Sequence, residues 1–108
     1  MTEFTLETLE DIISARTNAS AAKSYTKSLL SAGTARVAKK FGEEAVEAII
    51  AAMEPEKPAF VSEAADVVYH LLVLMRSRSV SLAEVLAELE RRTALSGLEE
   101  KASRSNQD

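Results

Sequence analysis

From Ala64 to Met75 the sequence runs Ala-Ala-Asp-Val-Val-Tyr-His-Leu-Leu-Val-Leu-Met, with Asp66 as its one charged side chain, and Glu63 stands just ahead of it. On a helix turning about 100° per residue, Glu63, Asp66 and His70 share an arc of roughly 60°, bordered by Val73 on one side and Leu74 and Val67 on the other. A helix apolar nearly all round is buried in a core or an interface, so these acids travel inward with it. An unpaired buried carboxylate is costly unless it finds a partner charge or a metal. A divalent cation fits.

A second acidic segment precedes it: Lys39-Lys40-Phe41-Gly42-Glu43-Glu44-Ala45-Val46-Glu47. Glu43, Glu44 and Glu47 share an arc of about 100° with Arg36 and Lys40, and taken alone that arc is an ordinary solvated face. The remaining circumference argues otherwise, because Val37, Phe41, Ala45, Val46, Ala48, Ile49, Ile50 and Met53 leave almost no other polar side. Each segment sets acids three residues apart, hence a turn apart on one face. Two such helices side by side make one carboxylate cluster.

The chain between these segments says how they meet. Pro55 stops the first long helix, which Thr34 can cap and which runs to about Glu54, and Pro58 suits the first turn of the second, extending to about Ser79. A link of Glu54 to Lys57 alone sets the two helices antiparallel and adjacent, with Glu47 and Glu63 at comparable depth. Upstream, Thr5 caps a helix from Leu6 to about Arg16, Thr17-Asn18-Ala19-Ser20 reads as a loop, and Ser24 to Leu30 forms a short segment ended by Gly33 as a left-handed cap. Downstream, Ser81-Leu82-Ala83-Glu84 is a capping box opening a last helix to about Thr93. Strand signals are scarce, so the fold expected is all-α.

The 108 residues suit one domain, placed at 1–96, with a frayed tail over 97–108 that has almost nothing to bury. A chain this small buries only about 60 to 65% of its unfolded surface. With so much apolar helix circumference, completion by homo-oligomerisation, a homodimer or larger, is expected. A net charge of −4 argues against a nucleic-acid or anionic-membrane surface. The absence of cysteine removes disulfides, thiol catalysis and thiolate metal sites. No basic leader is evident and no unbroken apolar run approaches about 18 residues, so the expected location is the cytoplasm.

Oxygen-only donors suit a hard cation such as Mg²⁺, with Mn²⁺ as an alternative, and such ions commonly take one or two carboxylates together with substrate phosphates. Lys40, on the arc of Glu44 and Glu47, can meet a phosphate oxygen or simply counter the neighbouring acids. With one histidine and no Glu-x-x-His pair, the chain lacks the motifs of a di-iron bundle, which argues against redox iron. His70 reads as a hydrogen-bonded core residue and Tyr69 as core. Gly42 in mid-helix costs about 1 kcal/mol relative to alanine, which suggests close packing there or access for a ligand.

Glu44-x-x-Glu47 followed by Glu63-x-x-Asp66 resembles the metal-binding signature of the all-α, MazG-like nucleoside-triphosphate pyrophosphatases. More selective are Ser24-Tyr25-Thr26, Lys40-x-Gly42-Glu43-Glu44-Ala45-x-Glu47, Glu63-x-x-Asp66-x-x-Tyr69-His70-Leu71-Leu72 and Ser81-Leu82-x-x-Val85, in that order. Over roughly Leu6 to Arg92 these are similar to the phosphoribosyl-ATP pyrophosphatase family of histidine biosynthesis. The resemblance implies Mg²⁺-dependent hydrolysis of 1-(5-phosphoribosyl)-ATP to 1-(5-phosphoribosyl)-AMP and pyrophosphate. It implies Glu44, Glu47, Glu63 and Asp66 as metal ligands and Glu43 as an acid that either stands behind those ligands or orients the water. Lys40, with Arg16, Ser24, Tyr25 and Thr26, would contact phosphate or ribose.

Two other readings compete. One keeps the metal array but takes a dNTP, against which stand Ser24-Tyr25-Thr26 and Tyr69-His70. The other is a non-catalytic helical oligomer or adaptor whose acids merely pair with Arg36, Lys39 and Lys40.

Overall fold

Thr5 opens the first helix, α1 (Leu6–Thr17), through a capping box: its hydroxyl accepts from the Thr8 amide while the Thr8 hydroxyl accepts from the Thr5 amide. The computed structural model describes residues 3–20, 24–94, 101 and 104. Ser24, buried, caps α2 (Tyr25–Ser31) by accepting from the Lys27 amide at 3.1 Å. The two long helices follow as α3 (Thr34–Ala52) and α4 (Lys57–Ser77), and the chain closes its bundle with α5 (Leu82–Thr93). Among the described residues there is no strand. The expected all-α hairpin of two long helices is therefore observed.

Several helix ends differ from their sequence signals. Gly33 takes a positive φ of 96°, but its ψ of 163° lies outside the left-handed helical region, and it occupies the cap position of α3. Thr34 is thereby the first helical residue and not the cap, and its hydroxyl donates to the Ser77 carbonyl at 3.4 Å, tying the start of α3 to the end of α4. The helix α4 ends at Ser77 because Ser79 adopts φ 56°, and the Val80 amide returns to the Met75 carbonyl at 2.9 Å. That is a Schellman closure with serine where glycine is usual. The expected frayed tail, apart from helical Lys101 and Arg104, lies outside the described residues.

The core is small. Ile13 from α1, Leu29 from α2, Val37 from α3, Leu72, Val73 and Met75 from α4, and Leu82 at the head of α5 form it, with Leu9, Tyr69, Leu74 and Val85 packed around. The fifth helix is locked on by charge as well as by packing, since Glu10 accepts the Leu82 amide at 2.7 Å and so satisfies an orphan donor at a positive helix end.

The long hairpin is the most extensive packing in the chain, with only residues 53–56 linking its two helices. Its inner side carries Val37, Glu44 and Ala51 on α3. Its outer side leaves Val46, Ile49, Ile50 and Met53 exposed at the i, i+3, i+4, i+7 spacing of a helical stripe, and on α4 Phe60, Val61, Val68 and Leu71 are exposed as well. By length and composition α4 could cross a membrane. Glu63 and Asp66 interrupt it, and its Leu72, Val73 and Met75 belong to the bundle core. Gly42 is exposed, and a Cβ there would meet nothing within 4 Å, so it marks no close packing within this chain.

Candidate metal and phosphate site

Glu44 is a carboxylate on the inner face of α3, 7% exposed in a chain whose outer face shows isoleucines. It sits there because the short hairpin lays α3 against α4 at the depth where Glu63 and Asp66 emerge one turn apart. One ligand oxygen from each of Glu44, Glu63 and Asp66 can be chosen so that all three lie within 4.8 Å of one another. Two helices, one from each half of the sequence signature, thus build the cluster.

Its charges are poorly compensated from within. Lys40 Nζ reaches Glu44 Oε1 at 3.2 Å and lies 4.0 Å from Glu43 Oε2. Neither Glu63 nor Asp66 has an ion-pair partner among the described residues, and Glu63 Oε2 is buried without any hydrogen bond. A buried acceptor left unmade is expensive. Oxygen-only donors, three acids converging and an orphaned carboxylate oxygen together fit a hard divalent cation. Glu47 is exposed at the rim, yet it feels the cluster: Glu44 first, by charge and hydrogen bonding, and then Glu63 hold its carboxyl above the usual value. Glu43 is half exposed and reaches toward Lys40.

A polar frame braces the α4 side. The Tyr25 hydroxyl and His70 Nε2 are 3.0 Å apart, and His70 Nδ1 is 2.7 Å from the Asp66 carbonyl oxygen. A carbonyl can only accept, so Nδ1 carries a proton and donates, and in the neutral ring Nε2 then accepts from the Tyr25 hydroxyl. Partial burial pushes the Tyr25 hydroxyl above its ordinary value, with Lys40 opposing and Tyr69, Glu44 and Asp66 adding, so tyrosine keeps the proton it donates. Alongside, the hydroxyls of Thr26 and Tyr69 hydrogen-bond each other, and Thr26 is fully buried. Tyr25 stacks on Tyr69 with ring centroids 6.3 Å apart, while His70 meets both rings edge-on. His70, 4% exposed, is the hydrogen-bonded interior residue its position in the sequence suggests.

The expected substrate contacts divide. Tyr25 and Lys40 line a cleft of about 350 Å³ beside the cluster, together with Ser28, Arg36, Lys39 and Glu43. Ser24 and Thr26 are buried, with their hydroxyls engaged in the α2 cap and on Tyr69. Arg16 is exposed in the last turn of α1 and does not line that cleft. Ser28, whose place depends on how α2 packs, carries no signal in the sequence, and Arg36 and Lys39 read there only as counterions. The spacing Arg36, Lys39, Lys40 at i, i+3, i+4 was the available signal for a cationic face.

An all-α hairpin that converges carboxylates beside a cationic cleft defines a class: helical proteins fitted to a divalent cation and a phosphate-bearing ligand. The model of the phosphoribosyl-ATP pyrophosphohydrolase family matches residues 6–93. Among curated proteins, the chain is 56% identical over 104 residues to a phosphoribosyl-ATP pyrophosphatase of Methylobacterium nodulans, covering 96% of this chain and 97% of that protein. It is 54% identical over 104 residues to phosphoribosyl-ATP pyrophosphatase 1 of Rhodopseudomonas palustris, with the same coverage. It is 57% identical over 99 residues to its namesake from Dinoroseobacter shibae, covering 92% of this chain and 97% of that one. The chain belongs to the phosphoribosyl-ATP pyrophosphohydrolase family.

Proposed function

We propose that this protein hydrolyses 1-(5-phosphoribosyl)-ATP to 1-(5-phosphoribosyl)-AMP and pyrophosphate, as a step of histidine biosynthesis in the cytoplasm. Membership of the family supports the substrate. The observation that carries the chemistry is the convergence of Glu44, Glu63 and Asp66 within 4.8 Å around a buried, unpartnered Glu63 oxygen. Glu44, Glu47, Glu63 and Asp66 would hold Mg²⁺, or Mn²⁺ in its place. When bound, the cation supplies charge neutralisation for phosphate oxygens as the phosphoanhydride breaks.

Water adds across the α–β phosphoanhydride, its oxygen entering one product while the bridging oxygen departs with the other. Glu43, beside Glu44 and reaching into solvent, orients that water and takes its proton. Lys40 pairs with Glu44 through their 3.2 Å contact and offers its remaining donors to a phosphate. The Glu44 contact is also the first cause that raises the Lys40 ammonium above its usual value, so that it stays charged. Tyr25, held through His70 to the Asp66 backbone, fixes the edge of the site against which substrate rests. Ser24 and Thr26 act by holding that edge, and Arg16 would reach substrate only from outside the cleft.

The exposed apolar stripe on α3 and α4 supports a homodimer with that stripe at its centre. The test of function is pyrophosphate release from phosphoribosyl-ATP, with and without Mg²⁺, run beside a panel of dNTPs. Magnesium-dependent turnover of phosphoribosyl-ATP, lost by at least about 100-fold in Glu44→Gln and Asp66→Asn with helix content unchanged, is the expected result. Preferred turnover of dNTPs would move the substrate assignment, and near-normal rates in either variant would end the ligand assignment.

A further inference from the structure

The cleft beside the carboxylate cluster has the opposite electrical character from its neighbour. Arg36, Lys39 and Lys40 face it with Glu43 as the one acid, in a chain whose net charge is −4. Lys40 is engaged by Glu44 and Glu43, whereas Arg36 and Lys39 have no ion-pair or hydrogen-bond partner among the described residues. On a surface rich in acids, two such side chains on adjacent turns of one helix, facing a concavity, make an anion subsite. Ser28 brings a hydroxyl from α2 to the opposite wall.

We propose that Arg36 and Lys39, with Ser28, hold the two terminal phosphates of the substrate, the part that leaves as pyrophosphate. The inference rests on the function proposed above and assigns residues to one half of its substrate. Lys40 and Glu43 belong both to this cleft and to the rim of the acid cluster, so an anion seated here lies next to the bond that is cut. On the two sides of that bond lie a diphosphate and phosphoribosyl-AMP, whose two phosphates stand on separate riboses. Only the diphosphate offers two phosphates side by side, and a guanidinium and an ammonium on neighbouring turns suit adjacent phosphates, the arginine as a bidentate fork and the lysine as a point charge. About 350 Å³ is at the small end for a ligand pocket, enough for a hydrated diphosphate and not for the whole nucleotide.

The experiment uses the full chain with Mg²⁺ and compares inhibition by pyrophosphate with inhibition by phosphoribosyl-AMP. Arg36→Gln and Lys39→Gln should each weaken pyrophosphate inhibition by about 10-fold or more and leave phosphoribosyl-AMP inhibition within about twofold. Arg36→Lys should recover part of the loss, because charge is kept while the fork is lost. Both positions are exposed, so circular dichroism should show an unchanged fold. Unaltered pyrophosphate inhibition in both variants overturns this inference alone, provided the wild type turns over and Glu44→Gln does not. Weakened phosphoribosyl-AMP inhibition with pyrophosphate unaffected overturns it too, by placing the other half of the substrate in the cleft. A wild type that cannot hydrolyse phosphoribosyl-ATP removes the proposed function and this subsite with it.

Discussion

Glu63→Gln separates a metal site from a merely acidic surface, because the two predict opposite changes in stability. The Glu63, Glu44 and Asp66 ligand oxygens lie within 4.8 Å of one another, and Glu63 Oε2 is buried without a partner. At an effective dielectric of about 20, two like charges at that separation repel by roughly 3.5 kcal/mol. Lys40 on Glu44 and solvent around the half-buried Glu63 reduce this, leaving a net cost of about 1 to 3 kcal/mol without metal. The glutamine amide removes the repulsion and gives the neighbouring carboxylates a donor. In EDTA the variant should therefore melt above wild type by about 4 to 12 °C, at some 4 °C per kcal/mol for a chain of this size. In Mg²⁺ the order should reverse. At 1,000 times its dissociation constant a ligand adds about 4.1 kcal/mol to the native state that holds it, more than the whole cost above, and the variant has lost a ligand. Differential scanning calorimetry at fixed protein concentration, with EDTA and then with Mg²⁺, reads both limbs. A variant that melts below wild type in EDTA, together with a wild type indifferent to Mg²⁺, would refute the reasoning.

Thr26→Val keeps the shape of a fully buried residue and strands the Tyr69 hydroxyl, so urea unfolding should show a loss of about 1 to 3 kcal/mol. An unchanged midpoint would mean water replaces the threonine. Ile49→Asp places a carboxylate in the middle of the exposed apolar stripe, and sedimentation equilibrium should find the dimer weakened by at least about 100-fold; a dimer of wild-type strength would move the interface elsewhere. On α5, hydrogen bonds from Arg91 and then Arg92 hold the Glu88 carboxyl down to about 2. A depressed carboxylate contributes stability above its unfolded value of about 4.5 that is lost as pH falls toward the folded one. Glu88→Gln should consequently melt slightly below wild type at neutral pH, and the gap should close between about pH 4.5 and 2; a gap that persists at pH 2 would show that it is not the charge that matters.

The long hairpin was legible because its signals are local. Pro55 and Pro58 bracket a link too short for anything but antiparallel neighbours, and the acid spacing on either side fixes which faces meet. The capping box at Ser81 was equally plain, with the Ser81 amide on Glu84 Oε2 at 2.7 Å. What escaped depends on tertiary partners. Thr34 looks like a cap in isolation, yet the carbonyl of Ser77 on the neighbouring helix claims its hydroxyl and Gly33 takes the cap position. Ser24 and Thr26 look like hydroxyls offered to a ligand, until α2 packs and turns them inward. Arg36 and Lys39 look like counterions for nearby glutamates, yet Lys40 alone of the three pairs with them.

Burial energetics make the hairpin's pattern informative about what completes it. The helix α3 buries Glu44 to 7% exposure while Ile49 and Ile50 stand 60% and 58% exposed, the reverse of what transfer free energies favour. Rotating α3 to hide the isoleucines would carry Glu44 to solvent and break the triad, so the rotation that folds the chain is the one that keeps the acids together. Two uncompensated features remain on one helix, a carboxylate cluster within and an apolar stripe without. The proposed cation would offset the first and the proposed second copy of the chain would cover the second. Each would then stabilise the same rotation of the same helix, and Mg²⁺ should tighten the dimer measurably in the wild type but not in Glu63→Gln.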